Sequence, residues 1–373
     1  MASIEVYSMS EKLWEDITFK LTGNVLKIEG SIPAYKPAVF VGFNATLKSL
    51  TARLIYAKLL DAGKVSVPLT TIRYGDVLDT LKTLDPNIEV TIEGPSTNEL
   101  VGMIVQDSRV AMRRYLEIQE RVKYHYSNIK KSVEKIRETH PDLAEAMINS
   151  LAYIRDAILD ISMPLLNLYC KLKRQAILTL ELIPEYYSIL RKVVEDTVKT
   201  LQEKTRREEV SPENILPLSI EACEEAQRAV EGEYELELGL SVEDARLKKT
   251  VPHYSVSTSI SSLMLFKLII LALSLTKPVF MVIEEPEYAL APVQQVILAQ
   301  FIERALEVAR KRGVQPIYII ITTHSPYIAV GFKEPVTLYF KYAKNVFTSE
   351  KTWPVRLFGL ASMLLMAESG ETH

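Results

Sequence analysis

Two adjacent carboxylates, Glu284 and Glu285, follow the apolar run Val279-Phe280-Met281-Val282-Ile283. A second apolar run, Tyr318 to Ile321, ends in Thr322-Thr323-His324-Ser325-Pro326. Polar residues at the carboxyl end of a buried parallel strand are where α/β proteins place a ligand. An acid pair there suits a divalent metal and a general base, and a histidine after the next strand suits a phosphate sensor. Together they point to nucleotide hydrolysis. The bland alternative is a structural carboxylate at a strand end.

Such chemistry needs a phosphate cradle, and Ala38 to Leu54 (AVFVGFNATLKSLTARL) is the candidate. An apolar strand ends at Gly42, and Lys48-Ser49 opens a helix, the setting in which backbone N–H groups wrap phosphates. The loop reads Gly42-Phe43-Asn44-Ala45-Thr46-Leu47-Lys48-Ser49, so the second glycine of G-x-x-x-x-G-K-[ST] is Leu47. Glycine there permits close approach and unusual φ. A leucine must turn its side chain away or block the site. Strain in the loop, weaker ATP binding and loss of the site are the three consequences to distinguish.

The 373 residues allow one large domain or two ordinary ones. The chain is 48% hydrophobic and 24% charged, a globular balance, and its net charge of −3 gives no global field for nucleic acid. Cys170 and Cys223 are in no metal or redox spacing, which suits a reducing, cytoplasmic compartment. The start has no signal-peptide pattern, and the apolar run Leu263–Leu275, interrupted by Lys267, is too short to span a bilayer. Nine Asn and nine Gln are few, which fits a thermophile source.

The periodicity predicts strands at Ser3–Tyr7, Asp16–Leu21, Val25–Glu29, Ala38–Val41, Glu89–Ile92 and Gly102–Val105, with a helix from Lys48 to about Asp61. From Ser108 to Glu209 there is no glycine, and Pro141, Pro164 and Pro184 divide a helical stretch. From Tyr234 the α/β pattern returns. A strand over EYELELGL and a helix Ser261–Ser274 are followed by strand Val279–Ile283, helix Val293–Arg312 and strand Ile317–Thr322. That last trio is a βαβ crossover and implies a parallel sheet. The organisation is thus 1–107 for an N-terminal lobe with the phosphate loop, 108–231 for an all-α insertion, and 232–373 for a C-terminal lobe. Arg109–Glu138 carries nine Lys/Arg against four Glu, with Tyr115, Tyr124 and Tyr126 interleaved; Glu208–Asp244 carries twelve acids against one Arg. Both read as solvated faces, or the first as a DNA surface.

The blocks Glu284-Glu285-Pro286-Glu287 and Thr322-Thr323-His324-Ser325-Pro326 resemble the ABC-type ATPase heads of the SMC, RecF and OLD-like group, including AAA_15/AAA_21-like archaeal ATPases. The resemblance covers residues 1–107 and about 232–373. It implies a P-loop α/β fold with a mixed N-terminal β lobe, a parallel-sheet core and a helical insertion. It further implies ATP and Mg²⁺ as cofactors, Lys48 on the β/γ-phosphates, Ser49 and Glu284 on Mg²⁺, Glu285 on the attacking water and His324 as switch residue. Gln106 falls where such proteins place a metal-contacting glutamine, although a plain loop glutamine is the alternative. The serine run Ser255–Ser262 stands at the signature position that reads the opposing subunit's nucleotide, with Ser257 and Ser259 as its candidates, or is a Ser-rich helix cap. It lacks the usual glycine, and Ala289-Leu290-Ala291-Pro292 lacks the histidines common after Glu287 in OLD-like relatives.

The resemblance implies a slow ATPase working as an ATP-dependent homodimer switch, with DNA or a nuclease acting in trans. About 45 residues follow Pro326, too few for the nuclease module of OLD proteins. The competing reading is a degenerate P-loop scaffold that binds partners, or senses nucleotide, through its helical insertion. A transporter-coupled ATPase is weaker, because it would need a coupling surface for a membrane partner and the Glu-Pro-Glu block is untypical there.

Overall fold

Short runs bounded by turn residues build the first strands. β1 (Ile17–Thr22) alternates buried and exposed side chains, and Gly23-Asn24 turns it into the antiparallel β2 (Leu26–Ile32). The computed structural model describes residues 14–42, 46–70, 72–105, 128, 131–147, 177–179, 181–205, 211–215, 241–244, 249–252, 258–288 and 290–351. The expected strands at Ser3–Tyr7 and EYELELGL, the acidic stretch apart from its ends, and most of the basic segment lie outside these residues.

β3 (Ala38–Gly42) is buried throughout, and α1 (Lys48–Asp61) follows with the expected bounds. β4 (Val65–Pro68) and α2 (Tyr74–Leu84) come next, neither anticipated from sequence. β4 is four residues ending in proline, too short for a periodic signal, and α2 buries only Val77 and Leu81. β5 (Glu89–Glu93) and β6 (Leu100–Val105) match expectation within two residues.

α3 (Leu182–Thr205) lies within the glycine-free stretch and docks on the hydrophobic core. Its stripe of Tyr186, Leu190, Val193, Val194 and Val198 is buried. Arg304–Asp196 at 2.9 Å and Arg312–Glu185 at 3.1 Å tie it down. The short α4 (Pro212–Ile215) and the hairpin β7 (Ser241–Asp244) with β8 (Lys249–Pro252) precede α5 (Thr258–Leu273), which starts three residues earlier than predicted. No helix among the described residues is long and apolar enough to cross a membrane.

β9 (Val279–Glu284), α6 (Pro292–Lys311) and β10 (Ile317–Thr323) form the expected crossover, with β9 and β10 parallel. α7 (Pro326–Gly331) leads to β11 (Val336–Ala343) and β12 (Val346–Lys351). These last two strands form a hairpin unanticipated from sequence, turning through Lys344 and Asn345, both at positive φ.

One ten-stranded sheet results, in the order β4-β6-β9-β10-β3-β11-β12-β2-β1-β5. The six strands from β4 to β11 run parallel. A hydrophobic cluster fills each face. Val39, Val41, Ile319 and Ile321 join α3, α5 and α6, whereas Ala38, Phe40, Tyr318 and Ile320 join α1, α2, β1 and β2. Burial on both faces explains why these strands read as unbroken apolar runs. The fold is therefore the mixed α/β P-loop class expected from sequence.

Gly42 ends β3 hard against the backbone of β11. A Cβ added there would meet the Phe340 carbonyl oxygen at 2.3 Å and Thr46 Oγ1 at 2.9 Å. Backbone cannot move aside as a flexible side chain would. Gly42→Ala should cost about 2 kcal/mol and lower the urea midpoint; an unchanged midpoint would show that the loop does not depend on this contact.

Candidate functional site

Strand register assembles the site. β10 sets Thr322 beside Glu284 on β9 and Thr323 beside Val41 on β3. Gly42, Glu284-Glu285 and His324 thus leave the sheet at one edge, the carboxyl ends of three adjacent parallel strands.

Leu47 precedes α1 at φ 68°, ψ 12°. It keeps the left-handed backbone that a glycine would supply, at a cost of about 1–2 kcal/mol. Its side chain packs against the hydrophobic cluster of α1, β1 and β2. The substitution therefore preserves the loop's exit geometry, and burial of the leucine offsets part of the strain.

Lys48, at 3% exposure, donates from Nζ to the Gly42 carbonyl at 3.0 Å and to Thr46 Oγ1 at 3.3 Å. His324 Nδ1 lies 3.2 Å from the same ammonium and 2.9 Å from the Gly42 carbonyl oxygen. One ring nitrogen cannot serve both: without a proton it accepts from Lys48, and with one it donates to Gly42. Burial lowers the Lys48 pKa to about 8, with the carboxylates of Glu285 and Glu287 pulling the other way.

His324 Nε2 lies 2.9 Å from Glu285 Oε1. Glu285 stands at φ 46°, and its N–H donates to the Thr322 carbonyl at 2.8 Å, which turns the chain sharply out of β9. Two non-glycine residues of this site, Leu47 and Glu285, thus hold the left-handed conformation, and such strain clusters at functional sites.

Glu287 fixes the other side of the histidine. Its Oε1 accepts from the His324 N–H at 2.6 Å and its Oε2 from Thr323 Oγ1 at 2.9 Å. Ser325 caps α7 by accepting from the Tyr327 N–H, and its hydroxyl donates to Gln295 on α6. Every side chain from Thr322 to Ser325 is thereby engaged.

Ser49 Oγ shares a hydrogen bond with Thr322 Oγ1 at 3.2 Å. Glu284, at 5% exposure, accepts from Arg53 through both oxygens, from Nε and from one terminal nitrogen, each at 2.7 Å. Ser49 and Glu284 are oxygen donors of the kind Mg²⁺ takes. As arranged, however, both are engaged within the protein, and they do not fit a divalent ion. Among the described residues no group of three or more His, Cys, Asp or Glu could hold a metal ion.

The structure brings together Gly42, Thr46, Leu47, Lys48, Ser49, Glu284, Glu285 and His324. Phe43, Asn44, Ala45, Gln106 and Ser257 lie outside the described residues, and Ser259 falls in the first turn of α5. Sequence reasoning missed two contributors. Glu287 was visible in the Glu-Pro-Glu block without a role, and Arg53, on the helix after Lys48, belongs to no motif.

A family profile described as AAA ATPase domain (AAA_15) matches residues 117–329. The chain belongs to this family. The matched AAA ATPase domain takes in Glu284, Glu285, Glu287 and His324 but begins beyond the Lys48 loop. No curated protein matches in sequence. The chain is similar in structure to an Smc head domain with an extended coiled coil from Pyrococcus furiosus, solved with the C-terminal domain of ScpA. The identity is 9%, 94% of this chain and 99% of the other are covered, and the TM-score is 0.37. An SmcHead bound to the C-winged helix domain of ScpA gives 10%, 93%, 99% and 0.40. A nucleotide-free ATP-binding cassette from an ABC transporter gives 12%, 96%, 100% and 0.32. With every TM-score this low, membership of the AAA ATPase family rests on the matched domain.

The depressed Lys48 pKa is directly observable in this AAA ATPase. Its folded value of about 8 lies below the unfolded 10.5, so the unfolded chain holds more protons between them. Lys48 therefore contributes increasing stability as pH rises through that window. Lysine ε-methylene NMR should show a resonance with a midpoint near 8 that disappears in Lys48→Met. A Lys48 midpoint near the unfolded value would contradict the burial described.

Proposed function

We propose that this chain is an ATP-binding switch that hydrolyses ATP slowly. The observation that carries the reading is His324, whose ring lies within hydrogen-bond reach of the phosphate-loop carbonyl, the Lys48 ammonium and the Glu285 carboxylate. The β- and γ-phosphates would lie against Lys48 and the N-terminus of α1, where backbone N–H groups and the helix dipole favour anions. Lys48 would exchange the Gly42 carbonyl and Thr46 for phosphate oxygens. His324 would report that change to Glu285.

Glu285 would orient a water and take its proton as the water oxygen bonds to the γ-phosphorus. The bond to the β–γ bridging oxygen would break, leaving ADP and phosphate. The conformational output would be pairing of two heads, with Ser257 and Ser259 of one facing the nucleotide of the other. The basic segment 109–138, helical over 131–137, is the surface proposed for DNA. Repair, maintenance or defence with a nuclease in trans is the setting that the resemblance supports.

A second reading, nucleotide sensing on a scaffold without turnover, is favoured by the Arg53–Glu284 pair, which engages both oxygens of one site carboxylate. Turnover and assembly separate the two. The wild type should release phosphate from ATP, and Glu285→Gln should abolish release and elute as an ATP-dependent dimer in size exclusion. A wild type without turnover and a variant that stays monomeric with ATP would exclude the switch.

A further inference from the structure

Arg53 and Glu284 form a fork-to-fork pair inside the site. Two guanidinium N–H groups meet the two carboxylate oxygens at 2.7 Å each, on an acid that is 5% exposed. Arginine cannot give up its proton in a protein, so this positive charge is permanent. Beside the pair, β10 carries Thr322, whose hydroxyl meets Ser49. The seryl hydroxyl and the strand-end carboxylate are the two oxygens from which a divalent ion at the nucleotide would be coordinated, and each has a protein partner.

A divalent ion is one means of placing positive charge between a buried carboxylate and a phosphate. Arg53 already supplies positive charge at that carboxylate. A strand-end carboxylate facing a triphosphate needs such a cation because like charges in a low-dielectric setting repel. A divalent ion drawn to Glu284 would also meet the guanidinium at close range, and Mg²⁺ sheds its water reluctantly and demands near-ideal octahedral geometry.

We propose that Arg53 is the built-in counter-cation of Glu284 and stands in for a divalent ion there, so that this chain binds ATP without requiring Mg²⁺. The inference rests on the ATP-binding reading above and goes beyond it by assigning Arg53 a role in nucleotide recognition.

Calorimetric titration of ATP into the full chain, in EDTA and again in Mg²⁺, tests it. For the wild type the two Kd values should agree within about threefold, whereas Arg53→Gln should lose about tenfold or more in EDTA and recover with Mg²⁺. Wild-type binding that is tenfold or more tighter in Mg²⁺ would overturn the inference while leaving ATP binding intact. An Arg53→Gln variant that matches the wild type in both buffers would overturn it as well. Absence of ATP binding in either buffer would overturn the ATP reading and the inference together. Thermal unfolding checks that Arg53→Gln is folded; if it is not, the wild-type comparison alone decides.

Discussion

The site depends on one constraint: polar groups at the ends of buried strands must find partners among themselves. β3, β10 and β9 are flanked by strands on both edges and packed on both faces, so the groups at their carboxyl ends are buried or only partly exposed. Leaving such groups unsatisfied costs more than their hydrogen bonds contribute. The register then dictates the pairings. Thr322 meets Ser49, Thr323 meets Glu287, and His324 lies between Gly42 and Glu285. These groups form one continuous set of contacts, the arrangement on which the proposed nucleotide switch rests.

Charge follows the same logic. Three carboxylates, Glu284, Glu285 and Glu287, crowd the edge, and the cations Lys48 and Arg53 interact with them. The two cations are not equivalent. The Arg53 guanidinium has a raised pKa through its hydrogen bonds with Glu284 and is fixed by two of them. The Lys48 ammonium has a lowered pKa through burial and rests on neutral oxygens that a phosphate can replace. In the proposed function Arg53 is the fixed cation and Lys48 the exchangeable one.

Much of this was legible in the sequence, for identifiable reasons. Unbroken apolar runs marked β3, β9 and β10 because both faces are buried, and the residues after them gave Glu284, Glu285 and His324. Lys48 was legible from its spacing to Gly42. The meaning of Leu47 was not, because a residue type does not reveal its φ; only coordinates show that the leucine adopts the glycine conformation and packs into the core. Arg53 was illegible for another reason: a pair separated by more than two hundred residues in sequence has no local signature. β4 and the β11–β12 hairpin were missed because β4 is too short to show a period and the hairpin's turn, Lys344-Asn345, lacks the glycine that usually marks one. Assignment of the chain to the AAA ATPase family agrees with the Glu284–Glu287 and Thr322–Pro326 blocks that suggested it, although the matched region does not include the phosphate loop.

The central claim is that the Lys48 loop holds ATP despite Leu47. Equilibrium binding of ATP to the wild type and to Lys48→Ala at neutral pH tests it most directly. The account predicts one ATP per wild-type chain and a loss of about tenfold or more in affinity for Lys48→Ala. A wild type that binds no ATP, or a variant that binds as tightly as the wild type, would contradict it.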